Sequence, residues 1–267
     1  MGMGRSATRE EIAAARAYEA LHVPALFRQW APIVATSAGV GAGQRVLDIA
    51  CGTGVLAREA AQLTGDPARV SGVDITPGML AVASTLAPEI DWQLAAAELL
   101  PFSDDEFDAV LSQFGLMFFD DRTVALREMQ RVLRPGGSIV VAVWDAIDNS
   151  PAYAVTMHIL AREAGHRAAD ALRAPFALGN ANGLRDLFRD AGFHDATVST
   201  HRGTARFPGI RAMVEAEVRG WLPIMGVSLD EATIARILAA AEQELREWLH
   251  ADGSLQFDLS AHVVMAG

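Results

Sequence analysis

Lysine is missing from the 267-residue chain. All 22 of its basic side chains are arginines, set against 33 aspartates and glutamates, for a formal net charge of −11. Without lysine there is no Schiff-base chemistry, and no lysine of a phosphate-binding loop or kinase strand. Cysteine is nearly absent too: Cys51 stands alone, so no disulfide closes within the chain and a reducing, cytoplasmic compartment is expected. Long hydrophobic runs are also lacking. Although 51% of residues are hydrophobic, the strongest apolar run, Ile139 to Trp144, falls far short of the ~20 residues that span a bilayer. The first residues carry no apolar stretch behind their arginine, so neither a membrane segment nor a secretory leader is expected. The acidic excess opposes a nucleic-acid partner, because neutralising phosphates takes a basic face. The seven histidines are scattered, and without metal-ligand spacing no metal is expected.

What is present is a rhythm. Thr8-Arg9-Glu10-Glu11 has the form of a capping box and opens a helix to about Ala20. Pro24 and Pro32 punctuate an aromatic helical stretch, Leu26 to Trp30, and a glycine-rich linker, Gly39 to Gly43, precedes the first strand, Arg45 to Ala50. Further strands are expected at Arg69–Asp74, Asp91–Ala95, Phe107–Gln113 and Gly137–Trp144, with helices at Val55–Leu63, Gly78–Leu86 and Arg122–Leu133. This β-α-β-α order indicates a parallel, doubly wound sheet. Arg134-Pro135-Gly136-Gly137 reads as a hard stop between helix and strand. In the second half, Asn182 caps a helix through Asp190 that Gly192 closes, and Phe193–His201 reads as a strand. Ser228-Leu229-Asp230-Glu231 is a second capping box. It opens a helix with apolar residues at Ile234, Leu238, Ala241, Leu245 and Trp248, and Leu255–Met265 alternates as a last strand. The division expected is an N-terminal helical arm or lid over residues 1–44, an α/β core over 45–202, a helical insertion over 203–252 that caps the substrate, and a last core strand over 253–267.

The chemistry sits after strand one, where Asp48-Ile49-Ala50-Cys51-Gly52-Thr53-Gly54 runs into a helix. Glycines at a strand-to-helix turn let a ligand approach bare backbone, and the helix offers its N–H groups. Gly52-x-Gly54-x-x-Ala57 also matches a dinucleotide fingerprint, and Asp74 at the end of strand two suits a ribose diol in either reading. Asp48 separates them. A pyrophosphate at this turn would face a carboxylate, whereas a ligand carrying an ammonium and a sulfonium would be attracted. S-adenosylmethionine is such a ligand.

Four segments then carry a resemblance: VLDIACGTG at 46–54, GVDITPGML at 72–80, ELLPFSDDEFDAVLSQFGLMFF at 98–119 and ALREMQRVLRPGGSIVVAVW at 125–144. In this order and spacing the chain resembles class I S-adenosylmethionine-dependent methyltransferases of the ubiquinone/menaquinone-biosynthesis type, strongly from Arg45 to Trp144 and weakly at Asn182–His201 and Leu255–Met265. The resemblance implies an α/β, doubly wound, Rossmann-like sheet of seven mostly parallel strands with helical additions that cap the substrate. It implies S-adenosyl-L-methionine as cofactor and S-adenosyl-L-homocysteine as product. Asp48 would anchor the methionine ammonium, and Ala50, Cys51, Gly52 and Gly54 would line the methionine and ribose. Asp74 would hold the ribose hydroxyls, and Ile75 and Met79 would pack on adenine. Gln113 and Phe114 would sit beside the transferable methyl. The chain departs from the family at Ala96, where an Asp usually receives the adenine amino group. The Ala97 N–H remains for adenine, with Glu98 one step aside, and one lost hydrogen bond of ~1 kcal/mol implies a weakened grip on the cofactor rather than none.

Methyl transfer is an in-line displacement, so the protein mainly positions its partners; a base is needed only where the nucleophile must lose a proton. In the N-terminal arm, His22 and Tyr18 are the candidates for that role. Phe27, Trp30, Met117, Tyr153, Met157, Met213 and Trp221 are candidates for an acceptor pocket, and their character suggests an apolar or aromatic small molecule methylated at O, C or N. They are equally suited to be the core of the added helices. A monomer or homodimer with a small-molecule acceptor is expected. A non-catalytic cofactor-binding module and an NAD(P)-dependent oxidoreductase remain as alternatives.

Overall fold

A capping box starts the first helix. In the computed structural model, which describes residues 6–267, Thr8 accepts the Glu11 N–H and the Glu11 carboxylate accepts the Thr8 N–H, opening α1 (Arg9–His22). The reading of no leader falls partly on residues 1–5, outside those described. A π-helical turn (Val23–Phe27) and a 3-10 turn (Arg28–Trp30) lead from α1 into α2 (Ala31–Ser37). Strands and helices then alternate: β1 (Val46–Ile49), α3 (Val55–Thr64), β2 (Val70–Asp74), α4 (Pro77–Leu86), β3 (Asp91–Leu94), β4 (Phe107–Gln113), α5 (Arg122–Val132) and β5 (Leu133–Trp144). Next come α6 (Pro151–Ala164), α7 (His166–Arg173), α8 (Ala181–Ala191), β6 (Thr197–Phe207), α9 (Ile210–Glu215), the short α10 (Leu222–Ile224), α11 (Glu231–Glu244) and β7 (Leu255–Ala266).

The seven strands form one sheet in the order β3-β2-β1-β4-β5-β7-β6, as the resemblance implied. The pairs β1–β2, β1–β4, β2–β3 and β4–β5 are parallel. β1 and β2 are buried at every position, as parallel strands covered on both faces must be.

The chain forms two compact units. The first takes the residues up to Val143 with Ala181–Thr200 and His262–Gly267; the second takes Trp144–Asn180 and His201–Ala261. This differs from the bounds expected at 45–202 and 203–252, because α6 packs against α7 and α11 and residues 144–180 therefore group with the later helices. In the first unit Trp30, Phe107, Leu47, Ile49, Leu111 and Met129 are fully buried, α1 packs on α4 and α5 packs on α8. In the second, Phe207 and Phe257 stack 6.4 Å apart and Tyr153 meets Phe257 edge-on.

Three local readings are corrected. Arg134–Gly137 is not a stop: β5 begins at Leu133, and Phe107 pairs with Leu133 while Ala109 pairs with Ser138. The extra residues bulge out of the ladder, with Gly136 at φ 79°. The second capping box is shifted: Asp230, not Ser228, accepts the Thr233 N–H, and Trp248 falls in a 3-10 turn, Arg246–Trp248, after α11 ends at Glu244. Asn182 lies inside the first turn of α8, one residue past its start, and its Oδ1 accepts Arg185 Nη1 at 2.8 Å. No helix among the described residues is long and apolar enough to cross a membrane, and no group of three or more His, Cys, Asp or Glu among them is placed to hold a metal ion.

Candidate functional site

The sheet turns one way from β1 through β2 to β3 and the other way from β4 to β5. A crevice is expected where that order reverses, outside the carboxyl ends of β1 and β4. Two residues with strained backbone mark the place. Ala50 follows β1 at φ 56° and Phe114 follows β4 at φ 59°, a conformation that costs non-glycine residues of order 1–3 kcal/mol and gathers at functional sites. The two loops touch, since a Cβ built on Gly115 would lie 2.5 Å from Cβ of Ala50.

The two turn glycines have different reasons to be glycine. Gly52, at φ 55°, has nothing within 4 Å of a built Cβ, so its outer face is open. Gly54, at φ 85°, starts α3 over the indole of Trp92, and a Cβ there would sit 2.3 Å from Cη2 of that ring. A Cβ built on Gly72 of β2 would lie 2.4 Å from the same ring. The Trp92 Nε1 donates to the Ala87 carbonyl at 2.8 Å, which fixes the indole beneath the turn.

Asp48 is 1% exposed. Its Oδ2 accepts the Ala57 N–H at 3.0 Å, in the first turn of α3, and its Oδ1 is buried without a hydrogen-bond partner. Burial pushes this carboxyl up to about 8; the Ala57 N–H opposes the shift, Asp74 adds to it, and Arg58 opposes it. Asp74 accepts the Gly52 N–H at 2.9 Å and the Thr76 N–H at 2.8 Å. Burial raises it as well, against those two donors.

A cleft of about 30 Å³, lined by Tyr18, Phe27, Asp48, Ala50, Cys51, Gly52, Val55, Leu56 and Gln113, opens in the first unit, with room for about two waters. Gln113 Nε2 donates to the Phe27 carbonyl at 3.2 Å, while its Oε1 is buried without a partner. Tyr18 stacks between His22 and Phe27, at 5.5 and 5.4 Å. Burial drives its phenol upward, reinforced by Asp74, Glu19 and Asp48. Burial lowers His22, whose Nδ1 has no hydrogen-bond partner, so the ring is neutral at pH 7. The Cys51 thiol is pushed well up by burial, which disfavours the nucleophilic thiolate.

Of the residues singled out in the sequence, Tyr18, Phe27, Asp48, Ala50, Cys51, Gly52 and Gln113 meet at this cleft. Phe114 adjoins Phe27 and Trp30, at 5.6 and 6.0 Å. Ile75 is 71% exposed, Met79 is half-buried and Ala97 is buried. The carboxylate of Glu98 accepts the Asp121 N–H at 3.2 Å, at the start of α5. Met117 is buried in the turn Leu116–Phe118. The other four stand in the second unit. Tyr153 donates to Glu217 at 3.1 Å, Met157 takes the Arg173 guanidinium against its sulfur at 3.1 Å, Met213 is fully buried and Trp221 donates to the Ala171 carbonyl at 2.8 Å. Glu19, Thr53, Arg58 and Trp92 escaped the sequence reading. Thr53 sits inside the glycine turn itself, which was a signal; Glu19 and Trp92 carry none.

Fold and crevice define the class I methyltransferase architecture, and comparison with known proteins agrees. Residues 47–141 match the family model described as a methyltransferase domain. An uncharacterized protein of Mycobacterium tuberculosis is 44% identical over 117 residues, 42% of each chain. The ubiquinone/menaquinone biosynthesis C-methyltransferase of Hahella chejuensis is 43% identical over 122 residues, 43% of this chain and 49% of that enzyme. The matched segment therefore spans less than half of either relative. Among solved structures, Haemonchus contortus phosphoethanolamine N-methyltransferase 2, in complex with S-adenosyl-L-methionine, superposes with a TM-score of 0.61 at 19% identity, over 96% of this chain and 57% of that one, which extends the likeness of fold beyond the matched segment.

Proposed function

We propose that the protein is an S-adenosylmethionine-dependent methyltransferase acting on an O, C or N atom of an apolar or aromatic small molecule. The observation that carries this reading is Asp48 Oδ1, a buried carboxylate oxygen without a partner beside an open glycine turn. A buried acceptor of this kind calls for a donor, and a cationic one best of all. The ammonium of the cofactor's methionine end suits it, with Gln113 Oε1 as a second acceptor. Asp74 keeps lone pairs for a ribose diol beyond the two N–H groups it already accepts. Exposed Ile75 and half-buried Met79 offer an apolar platform for adenine, beside the Ala97 backbone.

The bound cofactor supplies a methyl group already activated on a sulfonium. The chain then has to orient the acceptor and exclude water. Phe27 at the cleft, backed by Phe114 and the buried Trp30, gives an aromatic side suited to a flat or apolar acceptor, with Met117 as a further proposed contact. Neutral His22 can accept a proton from an acceptor hydroxyl, and Tyr18 stays protonated and donates. The lone cysteine and acidic balance support a cytoplasmic protein without a nucleic-acid partner.

A non-catalytic cofactor-binding module is favoured by one observation: Ala96 brings no carboxylate to adenine, and Glu98 is engaged at Asp121 instead. Incubation with methyl-labelled cofactor and a metabolite extract separates the two. Label entering a small apolar product, and lost in Asp48→Ala, supports the enzyme. Cofactor binding without any labelled product supports the module, and undiminished cofactor binding by Asp48→Ala overturns the site.

A further inference from the structure

One side chain ties the arm helix α1 to the glycine turn. Glu19 Oε2 accepts the Thr53 hydroxyl at 2.5 Å, and Oε1 accepts Arg58 Nη2 at 2.9 Å, across 34 and 39 residues of sequence. Thr53 stands between the two turn glycines and is 1% exposed. Arg58 lies in the first turn of α3, where its Nη1 also donates to the Thr53 carbonyl. Asp48 holds the neighbouring Ala57 N–H. Around that one helical turn, then, stand a carboxylate oxygen without a partner and a hydroxyl-guanidinium pair already holding a carboxylate. The first suits a cation, the second an anion, and an α-amino acid carries both on a single carbon.

Beyond these bonds α1 packs on α4, and Ala15 is its one fully buried residue. The π-helical turn Val23–Phe27 follows directly, with Pro24 in it; irregular turns of this kind mark hinges and functional sites. The cleft of about 30 Å³ is lined by Tyr18 of α1 and Phe27 of this turn, beside Asp48 and Gly52.

Resting on the cofactor reading proposed above, we infer that Glu19 is a built-in occupant of the carboxylate half of the amino-acid subsite. The arm docks by offering its own carboxylate to Thr53 and Arg58, and the α-carboxylate of the cofactor displaces it. The contact is autoinhibitory: each cofactor molecule must first win the Thr53–Arg58 pair from Glu19.

The test compares the wild type with Glu19→Ala and Glu19→Gln by calorimetric titration, using two ligands. S-adenosylhomocysteine carries the amino-acid end; 5′-methylthioadenosine has the same nucleoside without it. Removing an internal competitor raises the competent fraction, so S-adenosylhomocysteine is expected to bind Glu19→Ala roughly three- to tenfold more tightly. Glu19→Gln, which keeps an acceptor for Thr53 but no charge for Arg58, is expected to gain less. 5′-Methylthioadenosine should bind all three proteins equally. No gain for S-adenosylhomocysteine, or an equal gain for both ligands, overturns the inference, the latter because it would make the arm a plain steric cover. A wild type that binds neither ligand overturns the cofactor reading itself.

Discussion

Asp48 accepts the Ala57 N–H at 3.0 Å through one carboxylate oxygen and leaves the other buried with no partner. One side chain thus caps the start of α3 and presents a bare acceptor at the end of β1. The two duties separate by substitution. In Asp48→Asn the amide oxygen can still accept from Ala57, so the fold is expected to persist, while the charge for an ammonium is lost. A charged hydrogen bond of about 1.5–3 kcal/mol corresponds to roughly a 10- to 150-fold loss of cofactor affinity. Calorimetric titration checks it alongside a melting curve; a variant that melts normally and binds as well as the wild type rules out Asp48 as the ammonium anchor.

The same carboxyl makes binding depend on pH. Burial holds Asp48 at about 8 in the folded protein, against ~3.9 unfolded. The folded state therefore keeps this proton longer, and the group's contribution to stability falls as pH rises between those values. A bound ammonium replaces the proton. Affinity is expected to rise by up to tenfold per unit from pH 6 toward 8, then to fall as the ligand's own amino group, near ~8, loses its charge. Titration across pH 6–9 should show this maximum, and Asp48→Asn should lose the rising limb.

Gly54 faces two obstacles to a side chain: φ 85° and the Trp92 ring 2.3 Å from a built Cβ. Gly54→Ala is expected to destabilise by more than about 2 kcal/mol. Trp92→Leu removes the clash but not the backbone strain, so the double variant should recover part of the loss, with a coupling of about 1 kcal/mol or more. Urea unfolding of the four proteins in the cycle measures it; strict additivity would separate the indole from the glycine requirement.

At the adenine side, Ala96→Asp restores an acceptor that this chain lacks. One net hydrogen bond of ~1 kcal/mol predicts a severalfold gain in cofactor affinity. An unchanged dissociation constant would mean that adenine does not reach this position.

In the second unit, Glu217 is buried with Tyr153 as its hydrogen-bond donor. Burial raises it to about 7, opposed by that bond. Its folded value lies above the unfolded ~4.3, so stability is lost as pH rises from about 4 to about 7. Glu217→Gln removes the buried charge and is expected to melt several degrees higher than the wild type at pH 8, with little difference at pH 5. Equal shifts at both pH values would mean that the carboxyl is not the cause.

The parts legible in sequence were those written locally. Apolar runs punctuated by glycine and proline located β1, β2 and β4 to within a residue or two, because strand burial and turn chemistry act over a few neighbours. The turn Gly52–Gly54 with Asp48 and Asp74 was visible for the same reason: the charge and the bare backbone stand next to each other in the chain. Tertiary structure alone decided the rest. No local pattern joins Glu19 to Thr53 and Arg58, 34 and 39 residues away, or lays Trp92 beneath Gly54, since such pairs arise only when β3 and α1 reach their places in the sheet and on α4. The Arg134–Gly137 bulge looked like a stop because glycine and proline signal a break in either case; the pairing with β4 decides which. Residues 144–180 carried no element in the sequence reading; in the structure α6 packs on α7 and α11, where burial outweighs weak local preference.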